Sequence, residues 1–176
     1  MNIVRSERLE LVNLRGRDLE AALEGRWADL EAALDVVLSP DWFASDVGPF
    51  ELRLRQIRQD PASEPWLLRA LILAEPRTYV GYFNFHAPPS REGWVEMGYS
   101  ILAEHQRRGY ASEAALRMMR WARDEFGVEV FRASISPDNQ PSLKMIEKLG
   151  FSRVGTQIDE IDGLEIVFAR RGVPES

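Results

Sequence analysis

Apolar positions recur along the chain with two distinct periods. Ala111, Ala114, Ala115, Met118, Met119, Ala122 and Phe126 follow the three-and-four spacing of a helix with one buried face, and Gly127 supplies a stop. The other face carries Arg117, Arg120, Arg123 and Asp124. Ahead of this helix, Trp66 to Ala74, Tyr79 to His86 and Trp94 to Leu102 have the length and apolar content of strands. Glu75-Pro76, and Pro88-Pro89-Ser90 with Gly93, separate them, which predicts an antiparallel meander. Behind it, Val128 to Ile135 reads as a buried strand, Pro141 to Leu149 as a short helix closed by Gly150, and Phe151–Ile158 with Leu164–Ala169 as a hairpin turned near Asp162-Gly163. Trp94–Leu102, the helix and Val128–Ile135 form a β-α-β unit, so those two strands should be parallel neighbours.

The first third reads differently. Leu9 to Val12 alternates like a short strand, and Asp18 to Val37 is rich in Ala, Leu and Glu at helical spacings, with Gly25 as an interruption. Ser39-Pro40 and Gly48-Pro49 bound a loop holding Trp42 and Phe43, after which Glu51 to Gln59 reads as a helix ended by Asp60-Pro61. The expected fold class is α+β, with a mixed, mostly antiparallel sheet flanked by helices and one parallel β-α-β unit. At 176 residues, without repeats or low-complexity tracts, 1-176 should be a single domain.

Composition then removes whole classes of chemistry. With no cysteine and only His86 and His105 as imidazoles, thiolate nucleophiles, disulfides and cysteine-type metal sites are excluded, and no metal is expected. The net charge is −6, which argues against broad binding to nucleic acid or anionic membranes. The opening MNIVRSERLELVNLR is charged, and the apolar run Leu67 to Ala74 is broken by Arg69 and is far short of the ~20 residues of a membrane span. A cytoplasmic location without membrane attachment is the expectation.

Candidate chemistry concentrates where the third strand meets the best helix. Gln106-Arg107-Arg108-Gly109-Tyr110-Ala111 combines unpaired helix-start amides, a positive dipole end, a glycine permitting close backbone approach and two cations, which together suit a diphosphate. An ordinary solvated turn would look similar. Neither a phosphate-binding loop ending in Gly-Lys-Ser/Thr nor a dinucleotide Gly-x-Gly fingerprint is present.

The segment resembles the cofactor loop of the GNAT superfamily of acyl-CoA-dependent N-acetyltransferases, written Q/R-x-x-G-x-G/A before a helix. VEMGYSILAEHQRRGYASEA is similar to that family's central strand entering its loop. SPDNQPSLKMIEKLGF matches its second motif through Asn139, Ser142, Gly150 and Phe151. SERLELVNL and FSRVGTQIDEIDGLEIVFAR look like the RimJ/RimL-like branch, which acetylates N-termini of ribosomal proteins and includes small-amine relatives. The resemblance implies a GNAT fold and direct transfer from acetyl-CoA, as co-substrate, to a primary amine: an N-terminal α-amine or a small molecule. An acyl-CoA-binding domain with a regulatory role is the alternative, and a homodimer is left open.

It also implies roles for particular residues. The backbone of Tyr99, Ser100 and Ile101 would pair with the pantetheine arm, and Arg107, Arg108, Gly109, Tyr110, Ala111 and Ser112 would wrap the pyrophosphate. Asn139 would touch the cofactor, while its residue type and place equally suit a helix cap. Many members carry a tyrosine seven residues after that Asn as general acid; here the position is Ile146, which leaves Ser142 or a water. Glu96, five residues before Ile101, is the candidate base, either direct or through water. Glu113 suits the helix dipole yet brings negative charge towards a phosphate site. Trp27, Trp42, Phe43, Tyr82 and Trp94 are candidate walls for the acceptor, or core residues; Asp159, Glu160, Asp162 and Glu165 could draw a cationic amine, or merely solvate a hairpin tip.

Overall fold

The computed structural model describes residues 2–38, 48–159 and 163–174. Eight strands form one mixed sheet: β1 (Ile3–Arg5), β2 (Leu9–Asn13), β3 (Arg69–Leu73), β4 (Thr78–Phe85), β5 (Trp94–Ile101), β6 (Val130–Ile135), β7 (Ser152–Asp159) and β8 (Gly163–Arg171). Their order is β1-β2-β3-β4-β5-β6-β8-β7. The described helices are α1 (Gly16–Leu23), α2 (Trp27–Leu34), α3 (Gly48–Gln59), α4 (Tyr110–Phe126) and α5 (Gln140–Lys148). The fold is the expected α+β class, and β5 runs parallel to β6 as the β-α-β pattern required. The chain divides into two compact units, Met1–Asn84 with Tyr99–Ala114, and Phe85–Gly98 with Ala115–Ser176.

In the first unit, β1, β2, β3 and β4 pair antiparallel, with Leu9 opposite Leu73 and Asn13 opposite Arg69. The β3–β4 register shifts between Leu71, opposite Gly81, and Ile72, opposite Tyr79. This bulge leaves Val80 as the extra residue and twists the strand locally. Leu14, Leu19, Leu30, Leu34, Phe50, Leu54, Leu67 and Leu68 share one buried cluster with the inward positions of β2 and β3. Each fully buried leucine there contributes roughly 1.5–3 kcal/mol, so the cluster anchors the helices to the strands. Trp27 and Tyr82 pack against this cluster, which supports their reading as core residues. Arg69 is fully buried, its guanidinium donating to the carbonyls of Pro65 at 2.9 Å and Asn2 at 3.3 Å.

One expectation is corrected here. The run Trp66 to Ala74 is not all strand: Pro61–Trp66 forms a 3-10 turn and the strand begins at Arg69. Asp60 caps that turn through Ala62, and Leu67 and Leu68 are buried without being in the sheet, so apolar content alone misplaced the boundary. The stretch Asp18 to Val37 is two helices with Gly25 between them. Strand β1 is an addition, too short to show a period. Trp42, Phe43, Glu160 and Asp162 lie outside the described residues.

In the second unit, β6 alternates half-buried and buried residues instead of being buried throughout, with Phe131, Ala133 and Ile135 inward. Val130 to Ile135 pair antiparallel with Arg171 to Ile166 of β8. Trp121 stacks on Phe85 with ring centroids 6.4 Å apart. Arg170 donates to the Leu149 carbonyl at 2.9 Å, supplying a partner at the C-terminal end of α5.

Candidate active site

In the first unit the loop before α4 is built as its sequence demands. Arg107 has φ 62° and Gly109 φ 84°, while Arg108 between them is not in that region. Alternation of this kind turns neighbouring N–H groups into an anion-holding concavity. The first helical bond closes from Glu113 N–H to the Gly109 carbonyl at 3.0 Å, so the amides of Tyr110, Ala111 and Ser112 lack a backbone acceptor among the described residues. Arg107 and Arg108 are exposed beside them. The Gln106 side chain donates to the Ile101 carbonyl at 2.9 Å, tying the loop to the end of β5. Tyr99, Ser100 and Ile101 are half-buried, and the described β5–β6 ladder covers only Trp94–Glu96 against Val130–Arg132. Backbone beyond a ladder still requires partners.

Glu113 does not face the loop as an uncompensated charge. Its carboxylate accepts from the Ser6 hydroxyl at 2.7 Å, the Arg8 amide at 2.8 Å and Arg8 Nε at 2.7 Å. Burial pushes the Glu113 carboxyl up, but these three donors outweigh it and hold the group below its ordinary value of 4.5. A depressed folded-state value stabilises the fold above about pH 4.5, and that contribution disappears as pH falls through the lower folded value. Thermal unfolding followed from pH 7 to about 3 will show an acid loss of Tm that Glu113→Gln partly removes; an unchanged pH profile in the variant counts against it.

The second unit holds the other three candidates. Glu96 is mostly buried, with Oε1 3.9 Å from Nδ1 of His86, and its backbone carbonyl accepts the His86 amide at 2.8 Å. Its register partner on β6 is Arg132, whose guanidinium lies 4.1 Å over the Trp94 ring. Glu96 thus sits in a polar cross-strand row. Asn139 caps α5: its Oδ1 accepts the Ser142 amide at 3.2 Å, which brings these two residues together. Ser142 is half-buried in the first turn. Ile146, seven residues after Asn139, is fully buried, so that position serves packing. Asp159 and Glu165 are both half-buried on the final hairpin.

Sequence reasoning missed Ser6, Arg8 and His86. The first two lie about a hundred residues from Glu113, and only the SERL of the opening segment hinted at them.

The mixed sheet and the anion-suited loop narrow the class of protein, and comparison makes it specific. The model of the acetyltransferase (GNAT) domain matches residues 8–152, so the chain belongs to that family. Membership supports N-acetyltransferase activity. The uncharacterized N-acetyltransferase YjdG of Bacillus subtilis (strain 168) is 38% identical over 72 residues, 41% of this chain and 43% of that protein; the alignment spans less than half of its length. The uncharacterized N-acetyltransferase p20 of Bacillus licheniformis is 25% identical over 156 residues, covering 88% of this chain and 85% of the relative. Among solved structures, RimL, the ribosomal L7/L12 alpha-N-protein acetyltransferase in complex with coenzyme A, aligns over 97% of this chain and 98% of its own with a TM-score of 0.65. At 16% identity that likeness shows the fold. No described helix is long and apolar enough to cross a membrane.

Proposed function

We propose that the chain transfers the acetyl group of acetyl-CoA directly to a primary amine, with 1-176 acting as one N-acyltransferase domain. The observation that carries this reading is the loop with alternating φ at Arg107 and Gly109, leading into amides of Tyr110, Ala111 and Ser112 that lack a backbone acceptor among the described residues, in a chain of this family. Acetyl-CoA supplies an activated thioester carbonyl. Backbone groups of Tyr99, Ser100 and Ile101 hold the pantetheine amides, and the amides of Gly109, Tyr110, Ala111 and Ser112, with Arg107 and Arg108, hold the diphosphate. Asn139 fixes the start of α5 and with it the first-turn Ser142.

Glu96 takes the proton of the incoming ammonium, directly or through water, and a backbone N–H near Ile101 donates to the thioester oxygen. Ser142, or a water, protonates the departing thiolate. With no cysteine in the chain, no acetyl-cysteine forms. The acceptor is an N-terminal α-amine or a small-molecule amine, and the setting is cytoplasmic, without nucleic-acid or membrane binding; a homodimer fits the reading. An acyl-CoA-binding role without turnover is the second reading, favoured by buried Ile146 in place of a tyrosine.

Calorimetry with acetyl-CoA, followed by thiol release against panels of peptides and small amines, separates the two. Saturable binding with CoA release is expected, and Ser142→Ala should lower kcat by about tenfold or more with little change in the KM for acetyl-CoA. Binding without release on any amine selects the second reading, no binding removes both, and an undiminished Ser142→Ala rate assigns the proton to water.

A further inference from the structure

Arg8 stands at the centre of an arrangement that the transfer chemistry does not itself require. Its Nε reaches Glu113 Oε2 at 2.7 Å, its Nη1 donates to the Arg108 carbonyl at 3.0 Å, and its guanidinium carbon lies 4.7 Å from the centroid of the Tyr110 ring. A Cβ added at Gly109 would meet its Nη2 at 3.4 Å. One planar cation therefore holds residues on both sides of Gly109 at once: the carbonyl before it, and the ring and carboxylate after it. The pair differs from an ordinary surface ion pair, since the Glu113 side chain is only 15% exposed and also takes the Ser6 hydroxyl and the Arg8 amide. Arg107 meanwhile occupies a left-handed conformation that non-glycine residues avoid, which needs its surroundings to hold it.

We propose that Arg8, through Glu113 and the Arg108 carbonyl, is a positioning residue that keeps the Arg107–Ser112 loop in its diphosphate-receiving form. The inference rests on the acetyl-CoA reading given above. The brace also neutralises Glu113, so the loop presents Arg107, Arg108 and free amides without a bare carboxylate beside them. A lysine at position 8 keeps the charge but cannot bond carboxylate and carbonyl together while stacking on a ring. The consequence is selective: the diphosphate end of the ligand should feel the brace, and the pantetheine end should not.

Titration followed by NMR, with CoA and with S-acetylpantetheine, tests this in the full chain. Wild type, Arg8→Lys and Glu113→Gln are compared, and thermal unfolding checks that each is folded. Arg8→Lys should weaken CoA about tenfold while the Kd for S-acetylpantetheine stays within about twofold, and Glu113→Gln should follow the same pattern. Equal weakening of both ligands, or unchanged CoA affinity, overturns the inference and leaves the function reading standing. If Arg8→Lys does not fold, Glu113→Gln alone decides on the same criteria. Wild type failing to bind CoA at all overturns the function reading, and the inference with it.

Discussion

Gly81→Ala will destabilise the protein by about 3 kcal/mol or more, and the loss will centre on β5, the strand that leads into the Arg107–Ser112 loop. A Cβ at this position would sit 2.1 Å from the Ser100 carbonyl oxygen and 2.9 Å from the Ile101 Cα. Both are backbone atoms, so no side chain can swing aside to relieve the clash. The backbone at Gly81 has φ 151°, a region costly for residues with a side chain, which adds strain to the overlap. Gly81 also lies opposite Leu71 at the β3–β4 register shift, where the bulge holds the two strands in a fixed relation. Denaturant unfolding should therefore show a lower midpoint with little change in m, and amide exchange should be fastest from Tyr99 to Leu102. A midpoint within experimental error of wild type would show that β5 can move away, and with it that Tyr99–Ile101 is not held by this contact.

The sequence carried α4 and the parallel β5–β6 pair because each leaves a local, periodic trace: a 3.6-residue stripe ended by glycine, and two strands joined by a helix. Boundaries governed by capping or burial outside the sheet left none. Trp66, Leu67 and Leu68 are as apolar as strand residues, yet Trp66 ends a 3-10 turn and Leu67 and Leu68 line a core. In the candidate site the contiguous stretch Gln106 to Ser112 was legible, since loop, glycine and helix start occupy one short segment. The compensation of Glu113 was not, because its donors Ser6 and Arg8 lie on the far side of the chain in sequence and meet it only through folding. His86 escaped for the same reason: its proximity to Glu96 is a property of strand register. Ile146 looked like a missing acid, and its complete burial explains the residue as packing.

Glu96→Gln should reduce kcat/KM by about a hundredfold or more at neutral pH, the scale of a lost general base. The substitution keeps the shape of the side chain and removes its capacity to accept a proton, so the KM for acetyl-CoA should stay near wild type. Direction with pH follows from the acceptor. An α-amine titrates near ~7.7–8 and a lysine amine near ~10.4, so raising the pH from about 7 to 9 makes most of the first neutral and little of the second. A neutral amine needs no base to attack. For an α-amine acceptor the deficit of Glu96→Gln should shrink as pH rises, whereas for a lysine-like acceptor it should persist across the range. His86, 3.9 Å away and more exposed than Glu96, gives a control, because His86→Gln leaves the carboxylate in place and should cost far less. Unchanged kcat/KM for Glu96→Gln across about pH 6–9 would remove Glu96 as the base and leave solvent to take the proton, a result suited only to an amine already largely neutral in the cell. The shape of this one profile therefore reports on the base and on the class of acceptor together.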